Sequence, residues 1–106
     1  MSPADPPAPV FAALGDPTRC GLLATLSTSG SRSIAALSAD TLLTRQAVTK
    51  HLKVLERAGL VVHARAGRET RYAARLKPLG AARDWIEAVG MQWERALGRL
   101  GSFVED

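Results

Sequence analysis

The 106-residue sequence predicts a mainly α fold (α+β class) that carries one small β-hairpin and ends in a long helical segment. Three observations predict it. Between Val10 and Ala58, apolar residues recur at helical spacing in runs separated by capping residues and glycine-centred loops. Between Leu60 and Ala74, two runs rich in β-formers flank the turn sequence Ala66-Gly67. From Leu79 onward, Ala82, Ile86, Val89, Trp93, Ala96, Leu100 and Phe103 follow in alternating steps of three and four, a heptad seam.

Each element has its own local reason. Pro3, Pro6, Pro7 and Pro9 lack backbone donors, so residues 1–9 are expected to form a disordered or extended N-terminal arm. Val10, Phe11 and Leu14 give a short first helix that ends at Gly15. Asp16-Pro17 starts the second, because Asp caps free amides and Pro suits the first helical position, where no donor is missed. Leu22, Leu23 and Leu26 form its inward stripe, and Ser27 to Ser31 read as a loop centred on Gly30. Ser33 caps a short third helix with Ile34 and Leu37 inward, which Asp40 and Thr41 interrupt. Thr44 caps the fourth, whose Val48, Leu52 and Leu55 face inward. Gly59 stands where a left-handed C-terminal cap is expected. The hairpin ends by Pro78. The seam beyond it contains Gly80, Gly90, Gly98 and Gly101, each weakening a helix by roughly 1 kcal/mol, which leaves one kinked helix or two shorter ones open. The division is an arm (1–9), a core (10–77) and a terminal helical segment (78–106).

At this length a single domain buries roughly 60 to 70% of its unfolded surface, so association with a second copy would add materially to stability. Hydrophobic residues at 46% and charged residues at 23% exclude disorder throughout. No apolar stretch approaches the roughly 18 residues that span a bilayer, and no basic segment leads into an apolar run. A cytoplasmic protein with no membrane partner is expected. The lone Cys20 cannot form an internal disulfide and reads as a packed small hydrophobe.

Charge is unevenly placed. Between Thr44 and Arg75 lie eight cations (Arg45, Lys50, Lys53, Arg57, Arg65, Arg68, Arg71, Arg75) against Glu56 and Glu69, so this segment carries +6 of a net +4 and the remainder −2. A charge run alone describes a solvated face. The order of elements gives it meaning: two short helices, a tight turn, a capped helix with one polar face and then a basic hairpin make a winged helix-turn-helix. At 100° per residue, Gln46, Thr49, Lys50, Lys53 and Arg57 lie opposite Val48 and Leu52, with Arg45 at the exposed start of the helix. Such a helix fits the major groove, offering donors to base edges and cations to phosphates.

Two stretches resemble a known family. Ala13-Leu14-Gly15-Asp16-Pro17-Thr18-Arg19 is similar to the opening helix junction of the ArsR-type transcriptional repressors. The run from Thr44 to Val61 (TRQAVTKHLKVLERAGLV) resembles their recognition helix and first wing strand, and Gly67-Arg68 followed by Tyr72 resembles their wing. The resemblance covers residues 10–77. It implies a sequence-specific regulator of double-stranded DNA, a repressor acting as a homodimer on a palindromic operator. The expected DNA-binding residues are Thr44, Arg45, Gln46, Thr49, Lys50, His51, Lys53, Arg65, Arg68 and Arg71. The expected dimerisation residues are Val10, Phe11, Leu14, Trp85, Ile86, Val89, Trp93, Leu97, Leu100 and Phe103. The apolar terminal stripe points to pairing independently, although folding back onto the subunit's own core would also cover it.

The chain departs from the family's metal-sensing patterns, since residues 33–40 hold no cysteine and the last helix has Asp84, Glu87 and Glu94 but no histidine. No metal site and no cofactor are expected. His51, beside core Leu52, suits a structural hydrogen bond or a phosphate contact, and His63 reads as an exposed strand residue. Cys20, Ser27 and His51 have no catalytic spacing, and there is no phosphate loop or paired-carboxylate motif, so an enzyme is not expected. The alternative function is a winged-helix protein-interaction module that leaves DNA alone, which salt-dependent duplex binding would separate from a regulator.

Overall fold

The computed structural model describes residues 6–105, with side chains through Ser102. The expected fold class is the observed one, with a third strand added. Helix α1 (Ala8–Leu14) begins two residues before Val10, because Pro9 falls in its first turn, where a missing N–H costs nothing. Of the expected arm, residues 1–5 lie outside the described residues.

Helix α2 (Pro17–Ser29) is capped as expected: the Asp16 carboxylate accepts the Arg19 N–H at 3.0 Å. The Arg19 side chain folds back to donate to the last carbonyls of α1, Ala13 at 2.6 Å and Ala12 at 3.2 Å, fixing the α1–α2 corner. Cys20 is exposed rather than packed. Its thiol donates to the Leu14 carbonyl at 3.0 Å, because position 20 falls on the outer side of α2, away from Leu22, Leu23 and Leu26.

After Gly30 comes a strand unforeseen in the sequence, β1 (Arg32–Ser33), followed by α3 (Ile34–Ala39), whose cap Ser33 accepts the Ala36 N–H at 3.1 Å. The turn into α4 is tied by Ser38 donating to the Leu43 carbonyl at 3.0 Å and by Thr41 accepting the Leu43 N–H at 3.2 Å. Helix α4 (Arg45–Arg57) starts at Thr44, whose hydroxyl accepts the Ala47 N–H at 3.1 Å. At its far end the Leu60 N–H reaches the Leu55 carbonyl at 3.0 Å and the Gly59 N–H the Glu56 carbonyl at 2.9 Å. This Schellman closure needs the left-handed conformation of Gly59, φ +79°.

Strands β2 (Val61–Ala66) and β3 (Glu69–Ala74) form the wing hairpin, turning at Gly67 with φ +64°. The antiparallel sheet runs β1-β3-β2, with Tyr72 opposite both Arg32 and His63. Its wing end meets solvent, while Val61 and Tyr72 join the core.

That core gathers Leu22, Leu23 and Leu26 from α2, Leu37 from α3, Val48, Leu52 and Leu55 from α4, and Leu60. Val48, Leu52, Leu55 and Leu60 have no exposed surface at all, and burial of each such side chain contributes roughly 1.5 to 3 kcal/mol. Val10 and Ala13 of α1 close one side.

The terminal segment is one helix, α5 (Lys77–Glu105), uninterrupted at its four glycines. Twenty-nine residues at 1.5 Å each carry it some 43 Å, so the subunit is elongated at 68 × 26 × 20 Å. Only its start meets the core, through buried Ala82 and through Trp85, whose ring lies edge-on to Phe11 at 5.4 Å.

Candidate nucleic-acid interface

The inward pull of Val48, Leu52 and Leu55 decides which way α4 faces. With that stripe buried, Thr44, Arg45, Gln46, Lys50 and Lys53 stand in solvent around a shallow depression that Thr49 also lines. Thr44 and Thr49 serve the backbone as well: Thr44 caps the helix, and Thr49 donates to the Arg45 carbonyl at 2.7 Å. Between the start of α4 and the wing runs a cleft of about 340 Å³, lined by Arg45 and Thr49 on one side and Arg68, Glu69 and Thr70 on the other. Ser33, Ile34 and Ala35 also line it, residues without an interface signal in the sequence, which the pairing of β1 with β3 and the start of α3 bring there.

Among the described residues, Arg45, Lys50, Lys53, Arg57, Arg65 and Arg68 have no ion-pair partner. The two acids of the segment are both engaged. Glu69 accepts from Arg71 at 3.2 Å, and Glu56 meets the Nδ1 of His63. The surface therefore presents cations with little opposing charge, the condition for holding phosphates.

Two residues expected to contact DNA also make contacts within the subunit. His51 makes the structural contact that was one of its two expected roles: its ring turns toward the α1–α2 corner, with Nδ1 3.5 Å from the Arg19 guanidinium and 3.9 Å from the Asp16 carboxylate. One residue beyond Lys50 on a 100° helix, it falls on the flank that packs against α2. Arg71 lies on the wing, but its guanidinium donates to the Ser31 carbonyl at 2.8 Å, the Ser31 hydroxyl at 3.2 Å and Glu69. It ties β3 to the loop before β1. Neither tie carries a sequence signal, since Ser31 and Arg71 are forty residues apart.

The corner has an electrostatic signature. The Asp16 carboxyl is held below its ordinary value of 3.8 first by the backbone N–H of Arg19; desolvation, next in size, opposes this, and the charges of Arg19 and His51 add to the lowering. Tyr72 is raised above 10.0 by burial first and by the Glu56 charge second.

The expected dimerisation residues divide. Val10, at 5% exposure, belongs to the subunit's own core, because α1 packs against α2 and α4. Phe11 and Leu14 are half-buried against the same core, and Trp85 is half-buried on Phe11. Ile86, Trp93, Leu97 and Leu100 are exposed, as is Met91, and Val89 is half-exposed. The Phe103 side chain lies outside the described residues.

A helix-turn-helix domain family matches residues 14–64. An uncharacterized HTH-type transcriptional regulator of Bacillus subtilis, YuzN, is 39% identical over 85 residues, covering 74% of this chain and 92% of that one. The solved structure of an ArsR-like transcriptional regulator from Rhodococcus sp. RHA1 is 36% identical with a TM-score of 0.79, covering 92% of this chain and 91% of that one. The chain belongs to the ArsR-type winged helix-turn-helix transcriptional regulators. It is a DNA-binding regulator. The chain is also similar to the HTH-type transcriptional regulator CmtR of Mycobacterium tuberculosis, 46% identical over 61 residues, which span 58% of this chain and 51% of CmtR. Among the described residues of this ArsR-type chain, no helix is long and apolar enough to cross a membrane, and no three His, Cys, Asp or Glu side chains converge as metal ligands would.

Proposed function

We propose that the protein is a repressor that binds a palindromic operator as a homodimer, in the cytoplasm. The observation that carries this reading is the cationic face of α4, without ion-pair partners among the described residues, beside a cationic wing. In this reading Arg45, Gln46 and Lys50 reach base edges from the first half of α4, where a recognition helix enters the major groove. Lys53, Arg57 and Arg65 hold phosphates, and Arg68 at the wing tip reaches the flanking backbone or minor groove.

Pairing through α5 supports the symmetric part. Exposed Ile86, Trp93, Leu97 and Leu100 make a stripe too apolar and too long to leave in water, and the subunit's own core covers only the start of that helix. Two subunits related by a two-fold axis would present their α4 helices to major grooves one helical turn apart, about 34 Å.

Selection of binding sites from a random duplex library with the purified protein tests the reading at once. An enriched inverted repeat with half-sites about one turn apart is the expected outcome. Enrichment of a single unrepeated site would remove the homodimer on a palindrome, and absence of enrichment at any salt would favour a protein-interaction role for the scaffold.

A further inference from the structure

We infer that Glu56, His63 and Tyr72 form a latch that sets the wing against the recognition helix, and that duplex binding is tightest when His63 carries its proton. The inference rests on the DNA-binding reading and adds a positioning residue that the sequence left as an ordinary strand histidine. His63 on β2 meets the Glu56 carboxylate on α4 through Nδ1. Its ring also lies 5.4 Å from that of Tyr72, tilted 42°. Tyr72 is 4% exposed and pairs across β3 with both His63 and Arg32. One exposed imidazole thus touches the recognition helix on one side and, through a buried tyrosine, all three strands on the other.

The groups that bear on it are few. Glu56 comes from α4, with Lys53 one turn earlier on that helix; Tyr72 comes from β3; Arg65 lies two residues further along β2. Arg32, beyond Tyr72, is engaged with Asp40 at 3.1 Å. Glu56 is the one carboxylate of α4, so the latch also occupies the negative charge nearest the face that meets phosphates.

An imidazolium donates a charge-assisted bond to the carboxylate, whereas the neutral ring donates only in one tautomer and more weakly. With the neutral ring the free wing is looser, and duplex binding must order it; with the charged ring it is already placed. Binding therefore selects the charged pair, and affinity should be higher at about pH 6 than at about pH 8. Both partners are partly exposed, which bounds the effect at about fivefold.

The test pairs two measurements on the full chain and its H63Q, H63A and E56Q variants, with His51 kept throughout. Hydrogen exchange of the wing amides in the free protein reports the latch without DNA, and fluorescence anisotropy with a labelled random-sequence duplex, at about pH 6 and about pH 8 and fixed ionic strength, reports binding. Wild type should lose up to about fivefold in affinity from the lower to the higher pH, with wing exchange rising beyond its intrinsic base catalysis. H63Q keeps a donor for Glu56 but cannot titrate, so its wing should stay protected and its pH profile flatten. H63A and E56Q should both exchange faster at low pH. A wild-type pH dependence in H63Q, or unchanged wing exchange in both H63A and E56Q, would overturn the inference. Wing exchange that responds as expected while no duplex binds would uphold the latch as a wing device, overturn its link to DNA affinity, and place the failure in the DNA-binding reading.

Discussion

Arg68 and Arg71 stand three residues apart on the wing, carry the same side chain, and should behave oppositely when each is replaced by alanine. Arg68 is exposed at the turn with no ion-pair partner among the described residues, while Arg71 is bonded internally, to Ser31 twice and to Glu69 once. Each phosphate contact contributes about 0.9 to the slope of log K against log salt, so removing Arg68 from both wings of a dimer should lower that slope by about 1.8. Between about 50 and about 200 mM salt, a fourfold range, this shrinks the mutant's deficit relative to wild type by about twelvefold. Arg71→Ala should leave the slope within one contact of wild type. It should instead release the wing from Ser31 and leave the Glu69 carboxylate free in the cleft beside Arg45 and Arg68, lowering affinity at every salt. Fluorescence anisotropy against a selected operator across a salt series measures both. Equal slope losses in the two variants would mean that Arg71 leaves Ser31 for a phosphate, and the division between free and engaged arginines would fail.

Three further outcomes are expected from the same structure. Asp16→Asn should flatten the acid side of the stability profile: the folded-state carboxyl sits below 3.8, so the stability it contributes is present above that value and lost as pH falls further, which thermal melts in acid buffers would show. The same chemical change should have opposite signs at two glycines, with Gly59→Ala costing about 1 to 2 kcal/mol because its φ is +79°, and Gly21→Ala, inside α2 with nothing within 4 Å of an added Cβ, gaining about 0.5 to 1 kcal/mol. Melting temperatures that move the same way in both would refute the backbone account. Trp93→Glu, at a side chain 64% exposed, should shift the sedimentation coefficient from dimer toward monomer without loss of helicity, and a wild type that sediments as a monomer at every concentration would end the pairing proposal.

The recognition helix was legible because its signals are local and agree. Thr44 caps it, Val48, Leu52 and Leu55 give its inner stripe, and Gly59 ends it; the observed Arg45–Arg57 follows. Strand β1 was not legible, since Arg32 and Ser33 follow Gly30 and Ser31 in a polar run that becomes a strand only because β3 supplies a ladder forty residues away. The glycines of α5 left its continuity open from sequence. A single interior glycine costs roughly 1 kcal/mol, which a 29-residue helix absorbs, and none of these four has a positive φ. The internal partners of His51 and Arg71 were not legible, because a helix flank or a strand edge fixes where a side chain starts and only tertiary neighbours fix where it ends.

That last point bears on how a strongly basic segment can be both folded and ready to bind. If all eight cations between Thr44 and Arg75 were free, the wing and α4 would repel one another; if all were paired, no field would remain for phosphates. The structure divides the labour by position. Groups bordering another element are spent internally: Arg71 on Ser31 and Glu69, His63 on Glu56, and His51 beside Asp16 and Arg19. Arg45, Lys50, Lys53 and Arg68, all exposed, have no ion-pair partner among the described residues. Because Glu56 and Glu69 are both consumed in the internal set, the segment's acids hold the scaffold together and oppose little of its outward field. The rigidity of the surface and its charge therefore come from different residues, and substitutions can alter one without the other.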